Sequence, residues 1–416
     1  MSHNFNKNLK INLKIAGIVC EYNPLHNGHV HHIRETQRHG ATHIIAVLSD
    51  NFVQRGDAAV LHKFDRARLA IQSGVDLVLE LPVLCSCAPA EVYASGAVGL
   101  LQKLNILDML SFGCSVEDPR IFREFLEISD LILESHSEEL REFLKSGYSY
   151  PASVSKLCRI YHPEHVGLLD DPNNLLGLEY VRAMRKLHCN WEILTIPRQQ
   201  VSHDSPIPGK DFASASYLRE VILKKNNLNF LNILDHYMPE SVQDVLEIKI
   251  REKQLASLHF LEQAILYRLR VISESELLQL PDMTPSLAGR FLKYRNVLNL
   301  EEFFRNVRTK CFTMARIRRI LVSMLLDLQQ REVQQLRENP PYVRILALNQ
   351  KGSELLRILR ETSEIPLGTS LRKLSKLNPQ AEKLAGMEYR TAQIYSLAQE
   401  QMQSPEREFT EKIIKL

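Results

Sequence analysis

The sequence predicts an α/β protein in which a Rossmann-like parallel-sheet domain is followed by a mostly helical C-terminal domain. Between residues 14 and 197, short β-rich runs alternate with longer runs of helical periodicity. This alternation is typical of right-handed crossovers, which build a parallel sheet with helices on both faces. Beyond residue 214 the β-rich runs mostly disappear. Such a sheet binds its ligands beyond the carboxyl ends of its strands.

The individual elements follow from the period of the apolar residues. Strands are predicted at 15–20, 43–48, 76–81, 109–112 and 191–196. Helices are predicted between them at 30–38, 64–73, 90–104, 119–133 and 175–187, and later at 255–272, 286–294 and 317–336. Pro340 and Pro341 end the last helix, and 343–348 is predicted to be either a short strand or the start of a helix.

The division into domains is predicted from a change in composition. Pro, Ser, Gly and Asp are concentrated at 201–211, which indicates a boundary loop. We therefore expect a flexible leader at 1–13, the Rossmann-like domain at 14–204 and the helical domain at 205–416.

Composition excludes several classes of protein. With 416 residues and 44% apolar content, the chain can build two or three cores, and its net charge of +3 requires any polyanion to be bound by a local basic patch. The seven cysteines form no C-x-x-C pair, which favours reduced thiols in the cytoplasm. No run approaches the roughly 18 apolar residues of a membrane helix, so no membrane association is expected.

Four histidines lie in the stretch 21–32, directly after the first predicted strand. A metal site would need three or four ligands arranged by the fold, usually with Cys or carboxylate partners. Asn27 and Gly28, however, lie between a strand and a helix, where the first amides of the helix can bind an anion. His26 and His29 would add donors to phosphate oxygens as negative charge develops. An ordinary turn with surface histidines, or a metal site, remains an alternative reading of the spacing.

A second candidate for phosphate binding lies at the start of the later helical segment. Ser214 and Ser216 precede Arg219 by about one turn. Serine hydroxyls either cap a helix or bind an oxyanion, and arginine offers a fork of donors to phosphate. An ordinary capped helix explains the same pattern.

The His26-Asn27-Gly28-His29 string resembles the His-x-Gly-His signature of the nucleotidyltransferase superfamily. The longer string at 18–29 resembles the ATP-binding opening of the bacterial tRNA(Met) cytidine acetate ligases. Similar segments follow in the same order between residues 14 and 360. They lie at 51–56, 76–82, 90–97, 112–113, 172–180, 203–204, 309–310 and 315–319.

The resemblance implies a reaction in two steps. ATP and acetate would form acetyl-adenylate, and the acetyl group would pass to N4 of the wobble cytidine of elongator tRNA(Met), without acetyl-CoA and with no obligate protein partner inferred. Mg²⁺ is expected with ATP, and no metal site of the protein itself is predicted. The ATP-binding residues that the resemblance implies are Ile18, Val19, Cys20, Glu21, Tyr22, Asn23, Pro24, Leu25, His26, Asn27, Gly28, His29, Val30, His31, Gly113, Asn173 and Arg198, with Asn174 as the alternative to Asn173.

The residue chemistry agrees with that reaction. Attack of a carboxylate on the α-phosphate needs positioning and charge stabilisation, not a protein nucleophile. We expect His26 and His29 to be the catalytic residues, which stabilise the pentacoordinate phosphate, while Arg198 and Arg219 hold its oxygens. His31 and His32 fall inside the following helix and are predicted to be bystanders to the chemistry. An N-cap is the structural alternative for Asn173.

The tRNA would need a cluster of positive charge, because phosphate contacts dominate its affinity. The window 305–319 holds six basic residues and no acidic one, which makes the helical domain the candidate tRNA-binding domain. A solvated helix face balanced by Glu301 and Glu302 is the alternative. Gln54 and Arg55, in a loop after the second strand, are available to contact a substrate. The candidate tRNA-binding residues are Arg305, Arg308, Lys310, Arg316, Arg318 and Arg319.

Some positions depart from the family pattern. Asp50 replaces a usual glycine, and its carboxylate would repel a triphosphate if it lay close to one. The other departures are Ala88-Pro89, Cys114-Ser115 and Val201-Ser202. Two further functions therefore remain open: an enzyme that adenylates a small molecule, and a noncatalytic tRNA-binding paralogue.

Overall fold

A computed structural model describes residues 13–146, 148, 150–163, 167–197, 212–224 and 234–416. The predicted leader, apart from residue 13, and the boundary loop at 201–211 lie outside these ranges. The strands are β1 (Ile15–Cys20), β2 (His43–Ser49), β3 (Leu77–Leu81), β4 (Met109–Cys114), β5 (Glu192–Pro197), β6 (Val343–Leu348), β7 (Leu367–Gly368) and β8 (Ile414–Lys415).

Helices occupy most of the rest of the described chain. In the first half they are α1 (Asn27–Arg38), α2 (Lys63–Gln72), α3 (Val83–Ser86), α4 (Ala90–Gln102), α5 (Arg120–Ser135), α6 (Ser137–Lys145), α7 (Tyr150–Tyr161), α8 (Gly167–Asp170) and α9 (Pro172–Lys186). In the second half they are α10 (Ala215–Lys224), α11 (Glu240–Arg251), α12 (Glu262–Val271), α13 (Glu274–Leu278), α14 (Pro285–Tyr294), α15 (Leu300–Val307), α16 (Met314–Leu325), α17 (Gln330–Glu338), α18 (Gln350–Thr362), α19 (Leu371–Leu374), α20 (Pro379–Leu397) and α21 (Arg407–Thr410).

The strands form one mostly parallel sheet in the order β5-β4-β1-β2-β3-β6-β7, and β8 also pairs with β6. The chain runs from β1 through β2 to β3 in one direction and then returns to place β4 on the other side of β1. The carboxyl ends of β1 and β4 therefore flank a topological switch point, where open α/β sheets bind their ligands. The predicted fold class is confirmed.

The C-terminal part of the chain returns to this sheet. Strand β6 pairs antiparallel with β3, and β8 pairs parallel with β6. The segment 343–348, for which strand and helix were both predicted, is thus a strand. The sheet draws its strands from both sides of the predicted boundary at residue 205.

The predicted helix at 317–336 is wrong, because it is two helices. α16 ends at Leu325 and α17 begins at Gln330. Asp327 between them has φ of 49°, a left-handed conformation that ends a helix, while Leu326 and Leu328 are buried beside it. The apolar periodicity therefore continues through a tight turn and gives no sign that the helix ends there. Among the described residues, no helix is both long and apolar enough to cross a membrane.

A buried ion cluster joins the sheet to the C-terminal segment. Lys63, in the first turn of α2, lies 3.1 Å from Asp50 and 2.7 Å from Glu408, and it also contacts Glu80 of β3. Arg344 of β6 pairs with Glu408 and lies 3.7 Å from Glu80. These five side chains are at most 2% exposed. They connect β2, α2, β3, β6 and α21.

Burial favours the protonated form of two carboxyl groups in this cluster, those of Glu80 and Glu388. Together with the neighbouring Glu388, it contains four carboxyl groups and only two cations. Burial raises the pKa of Glu80 to about 7, and burial together with Glu80 raises that of Glu388 well above its usual value. Burial also acts on Glu408, but Lys63 and Arg344 outweigh it and lower its pKa. Protonation of Glu388 therefore reduces the excess of negative charge that Lys63 and Arg344 must offset.

We expect Lys63→Met to lower the free energy of unfolding by about 3–5 kcal/mol, because it leaves buried carboxylates without their cation. Glu388→Gln is the control and should change it by less than about 1 kcal/mol, since a protonated carboxyl and an amide both accept the Tyr342 hydroxyl. Urea denaturation followed by circular dichroism measures both variants. Equal losses in the two variants would contradict this charge assignment.

Candidate functional site

A cavity of about 250 Å³ opens at the carboxyl ends of β1 and β4. It brings together segments that are distant in the chain. They are residues 21–29, which we call the histidine turn, the loop after β2, and the starts of α9 and α10. The predicted site residues that line it are Ile18, Val19, Cys20, Glu21, Tyr22, Asn23, His26, Gly28, His29, His31, Gly113, Asn173, Ser214 and Arg219. Pro24, Leu25, Asn27 and Val30 lie in the same turn without lining the cavity, and Arg198 lies outside the described residues.

The turn between β1 and α1 is held on several sides. Tyr22 has φ of 47°, and the Asn23–Pro24 peptide bond is cis. The Asn23 side chain accepts a hydrogen bond from the Val60 amide at 2.9 Å, and the Asn27 side-chain amide donates to the His236 carbonyl at 2.9 Å. A left-handed conformation at a tyrosine costs free energy and persists where surrounding contacts over-determine it. The turn is therefore preorganised.

His26 and His29 cap α1 reciprocally. The Gly28 amide donates to Nδ1 of His26 at 3.1 Å, and the His26 amide donates to Nδ1 of His29 at 3.2 Å. A ring nitrogen that accepts a hydrogen bond carries no proton, so each ring is neutral with its proton on Nε2. The rings stack with their centroids 3.8 Å apart. The caps thus provide two adjacent Nε2–H donors at a helix N-terminus, which suits a phosphate group.

Gly28 is required by this arrangement. A Cβ at residue 28 would lie 2.9 Å from Cε1 of His26, which is closer than real Cβ contacts. The glycine therefore allows the His26 ring to fold over the turn and cap the helix. The spacing His-x-Gly-His predicted this site because each of its three fixed residues has a local role.

Arg66 of α2 is a residue that sequence reasoning missed. Its buried guanidinium donates to the carbonyls of Glu21, Ser49, Asp50 and Leu61 at 2.7–3.0 Å. The first three carbonyls follow or end β1 and β2, so one side chain fixes the carboxyl ends of both strands. An arginine within a helix gives no signal of this role in the sequence.

The Glu21 carboxyl connects the turn to the next loop. Its Oε1 accepts a hydrogen bond from the backbone amide of Gln54 at 2.9 Å. Burial raises the pKa of Glu21, while that hydrogen bond and the charges of Arg219, Arg66 and Arg55 oppose the increase. Gln54 and Arg55 line the cavity, as the prediction of a substrate contact requires.

The segment around Ser214 combines capping with access to the cavity. The Ser214 hydroxyl accepts the Tyr217 amide at 3.1 Å and lies 3.2 Å from the Ser216 hydroxyl. Arg219 donates to the Asn23 carbonyl at 2.8 Å, so α10 is tied to the histidine turn. The capping alternative holds for Ser214, which nevertheless lines the cavity; Ser216 does not line it.

The structure distinguishes Asn173 from Asn174. Asp171, not Asn173, is the N-cap of α9, and its side chain accepts the Asn173 amide at 2.8 Å. Asn173 lines the cavity. Asn174 is fully buried, and its side chain forms hydrogen bonds with the Ser115 amide and hydroxyl. Asn174 therefore holds the loop after β4, and Asn173 is the candidate nucleotide contact.

The other two histidines lie inside α1. His32 interacts with the Ser111 hydroxyl at 2.9 Å, and His31 lies 4.0 Å from Glu35, one turn away. Both residues line the cavity, and that they are bystanders to the chemistry stays a prediction. In the part of the chain that the structure describes, no three His, Cys, Asp or Glu residues are grouped as metal ligands.

The basic window 305–319 divides into two sets. Arg316 and Arg319 bind Asp282, with Arg319 only 8% exposed, and Arg318 lies 3.8 Å from Asp57. These three cations have structural partners within the protein. Arg305, Arg308 and Lys310 are exposed; Arg305 lies 3.6 Å from Glu301, the balance that the alternative reading predicted.

The condition under which Asp50 would repel a triphosphate is not met. Its carboxylate is fully buried, is paired with Lys63 and does not line the cavity. Ala88 and Pro89 precede α4 as ordinary structural residues, with Pro89 at its N-cap. Cys114 is buried and Ser115 is held by Asn174, while Val201-Ser202 lies outside the described residues.

Comparison with known proteins agrees with this geometry. The model of the HIGH Nucleotidyl Transferase family matches residues 13–409. The tRNA(Met) cytidine acetate ligase of Alkaliphilus metalliredigens is 31% identical over 93% of this chain and 94% of its own length. That of Thermoanaerobacter sp. strain X514 is 32% identical over 97% of this chain and 100% of its own length.

Solved structures give the same result. Apo Thermotoga maritima TmcAL superposes with a TM-score of 0.88 at 28% identity, covering 97% of this chain and 100% of that one. Its complex with alpha-thio ATP gives a TM-score of 0.86 at 27% identity, with the same coverage. The fold and the site define a nucleotidyl transferase of the HIGH class. Within that class, the chain belongs to the tRNA(Met) cytidine acetate ligase family.

The role of His26 as the cap of α1 and its predicted catalytic role can be separated by substitution. We expect His26→Ala to lower the free energy of unfolding by about 1 kcal/mol, because the cap of α1 is lost. His26→Asn should preserve it, since asparagine is among the best N-cap residues, yet it lacks the Nε2–H donor. Urea denaturation measures both; equal destabilisation would contradict the capping role.

Proposed function

We propose that the protein is an ATP-dependent ligase that activates acetate as acetyl-adenylate and transfers the acetyl group to N4 of the wobble cytidine of elongator tRNA(Met). The observation that carries this proposal is the stacked pair of His26 and His29 at the N-terminus of α1, whose Nδ1 atoms accept backbone amides, beside the switch point of the sheet. The full-length similarity to tRNA(Met) cytidine acetate ligases supports the choice of substrates.

In the first step, an acetate oxygen attacks the α-phosphorus of ATP and pyrophosphate leaves. Negative charge spreads over the equatorial oxygens as the bond forms, and preorganised donors lower the barrier without reorganising. His26 and His29 donate through Nε2–H to those oxygens, and the first amides of α1 add to the field. Arg219 and Arg198 hold phosphate oxygens, and Asn173 and Gly113 contact the remainder of the nucleotide.

Mg²⁺ would accompany ATP in this step. It keeps several water ligands and binds phosphate oxygens readily, which fits a cavity whose described residues provide no cluster of metal ligands. Acetyl-CoA has no part in this reaction, since acetyl-adenylate is already an activated acyl donor. The cytoplasm supplies ATP, acetate and tRNA.

In the second step, the cytidine N4 attacks the acetyl carbon, the bond between that carbon and the AMP oxygen breaks, and the amine loses a proton. The base must leave the anticodon stack to reach the adenylate, as bases do in other modifying enzymes. The exposed Arg305, Arg308 and Lys310 are the candidate phosphate contacts. Arg305 lies in the last turn of α15, and Arg308 and Lys310 lie between α15 and α16. Arg319 of α16 donates to the Gln54 carbonyl in the loop that lines the cavity, at 3.3 Å.

Labelled acetate tests the reaction. We expect label to enter tRNA(Met) in the presence of ATP alone, and His26→Asn or His29→Ala to abolish both incorporation and acetate-dependent ATP–pyrophosphate exchange while tRNA binding persists. No label in tRNA under conditions where ATP binds would overturn the proposal. Exchange with another acid would indicate a small-molecule adenylating enzyme, and tRNA binding without exchange a noncatalytic paralogue.

Salt dependence tests the tRNA surface. We expect simultaneous replacement of Arg305, Arg308 and Lys310 by Ala to reduce the slope of log affinity against log salt by about 2, because each phosphate contact contributes roughly 0.7–0.9. Filter binding at several salt concentrations measures this slope. The control replaces Arg331, Lys373 and Lys376, which are also exposed, and should leave the slope unchanged. Equal effects of both triple variants would contradict the assignment.

A further inference from the structure

We propose that Arg55 binds the carboxylate of the acid that the enzyme activates. This inference rests on the proposed function and names the residue that holds its acyl substrate. Nothing in the histidine turn supplies such a contact, because its donors face the phosphate. The proposal follows from the position, the support and the chemistry of Arg55.

Arg55 is one of two arginines among the described residues that line the cavity, and the other is Arg219. Arg219 extends from α10 and is tied to the Asn23 carbonyl in the histidine turn. Arg55 comes from the loop after β2 and approaches the end of β1, where its charge acts on the Glu21 carboxyl. The two guanidinium groups thus enter the cavity from separate elements and can bind different parts of the reacting pair.

The loop that carries Arg55 is held on both sides of that residue. The Gln54 amide donates to Glu21, the Gly56 amide donates to the Val53 carbonyl at 2.8 Å, and the Val53 amide donates to the Asp57 carbonyl at 3.0 Å. Gly56 has φ of 74°, and a Cβ there would lie 2.4 Å from the Arg319 backbone nitrogen. The loop is therefore packed directly against α16. A side chain on such a support binds with little loss of conformational entropy.

The proposed reaction requires a cation where the carboxylate approaches the α-phosphate. The carboxylate and the α-phosphate are both anions, so bringing them within reacting distance costs free energy unless positive charge lies between or beside them. Arginine has five donors in a planar fork that matches a carboxylate with two parallel hydrogen bonds. With five donors, the guanidinium can bind a substrate carboxylate in addition to its partners within the protein. Such a contact also orients one carboxylate oxygen for in-line attack.

Acetate-dependent ATP–pyrophosphate exchange tests the proposal on the full-length protein. We expect Arg55→Gln to raise KM for acetate by about 10- to 100-fold, as expected for a lost charged hydrogen-bonded pair, while KM for ATP changes by less than about 3-fold. Arg55→Lys should give an intermediate KM for acetate, since lysine keeps the charge but not the fork. Arg38→Gln, whose side chain is 73% exposed on α1, is the control and should match the wild type.

Each outcome decides the question. An increase in KM for ATP equal to that for acetate would assign Arg55 to the triphosphate and overturn the proposal, as would an unchanged KM for acetate. If Arg55→Gln does not fold, judged by its thermal midpoint, the KM values of Arg55→Lys decide on the same criteria. Exchange by the wild-type enzyme that does not depend on acetate would instead refute the proposed function, and this inference with it.

Discussion

The site depends on the hydrogen bonds of one buried guanidinium, that of Arg66. Backbone carbonyls at the ends of strands lose their partners in the sheet, and burying them unpaired is costly. Arg66 satisfies carbonyls of Glu21, Ser49 and Asp50 at once, so the two segments that leave β1 and β2 start from fixed positions. One of these segments becomes the histidine turn and the other becomes the loop of Arg55. Three residues earlier in α2, Lys63 fixes the same edge from the C-terminal side through Glu80 and Glu408.

The histidine turn shows how one set of contacts serves both folding and chemistry. In capping α1, the Nδ1 atoms of His26 and His29 accept backbone amides. The proton of each neutral ring is therefore on Nε2. The first amides of α1 already have partners within the protein, so the two rings supply the donors at this end of the helix without any rearrangement on binding. Preorganised donors of this kind stabilise developing charge more than mobile ones do. The same interactions that start the helix therefore fix the orientation of both rings.

The sequence predicted what depends on local patterns. The parallel strands were recognisable as apolar runs, and the candidate phosphate site was recognisable because Gly28 and the histidines lie between a strand and a helix. Contacts between distant residues left no local pattern. The effect of Asp50 on a triphosphate was left open because its partner Lys63 could not be identified from the sequence. Arg319 was grouped with the candidate tRNA-binding cations although it is buried and donates to Asp282 and Gln54. The turn at Asp327 was missed because Leu326 and Leu328 continue the apolar period on either side of it.

In the proposed reaction, acetate attacks the α-phosphorus of ATP directly. Attack through a carboxylate oxygen leaves that oxygen in AMP when the acetyl group is transferred. Incubation with ATP, tRNA(Met) and acetate labelled with ¹⁸O in both oxygens, followed by mass spectrometry of the products, tests this directly. We expect one ¹⁸O atom in AMP and one in the acetyl group on the tRNA. Unlabelled AMP, or ¹⁸O in inorganic phosphate, would contradict it.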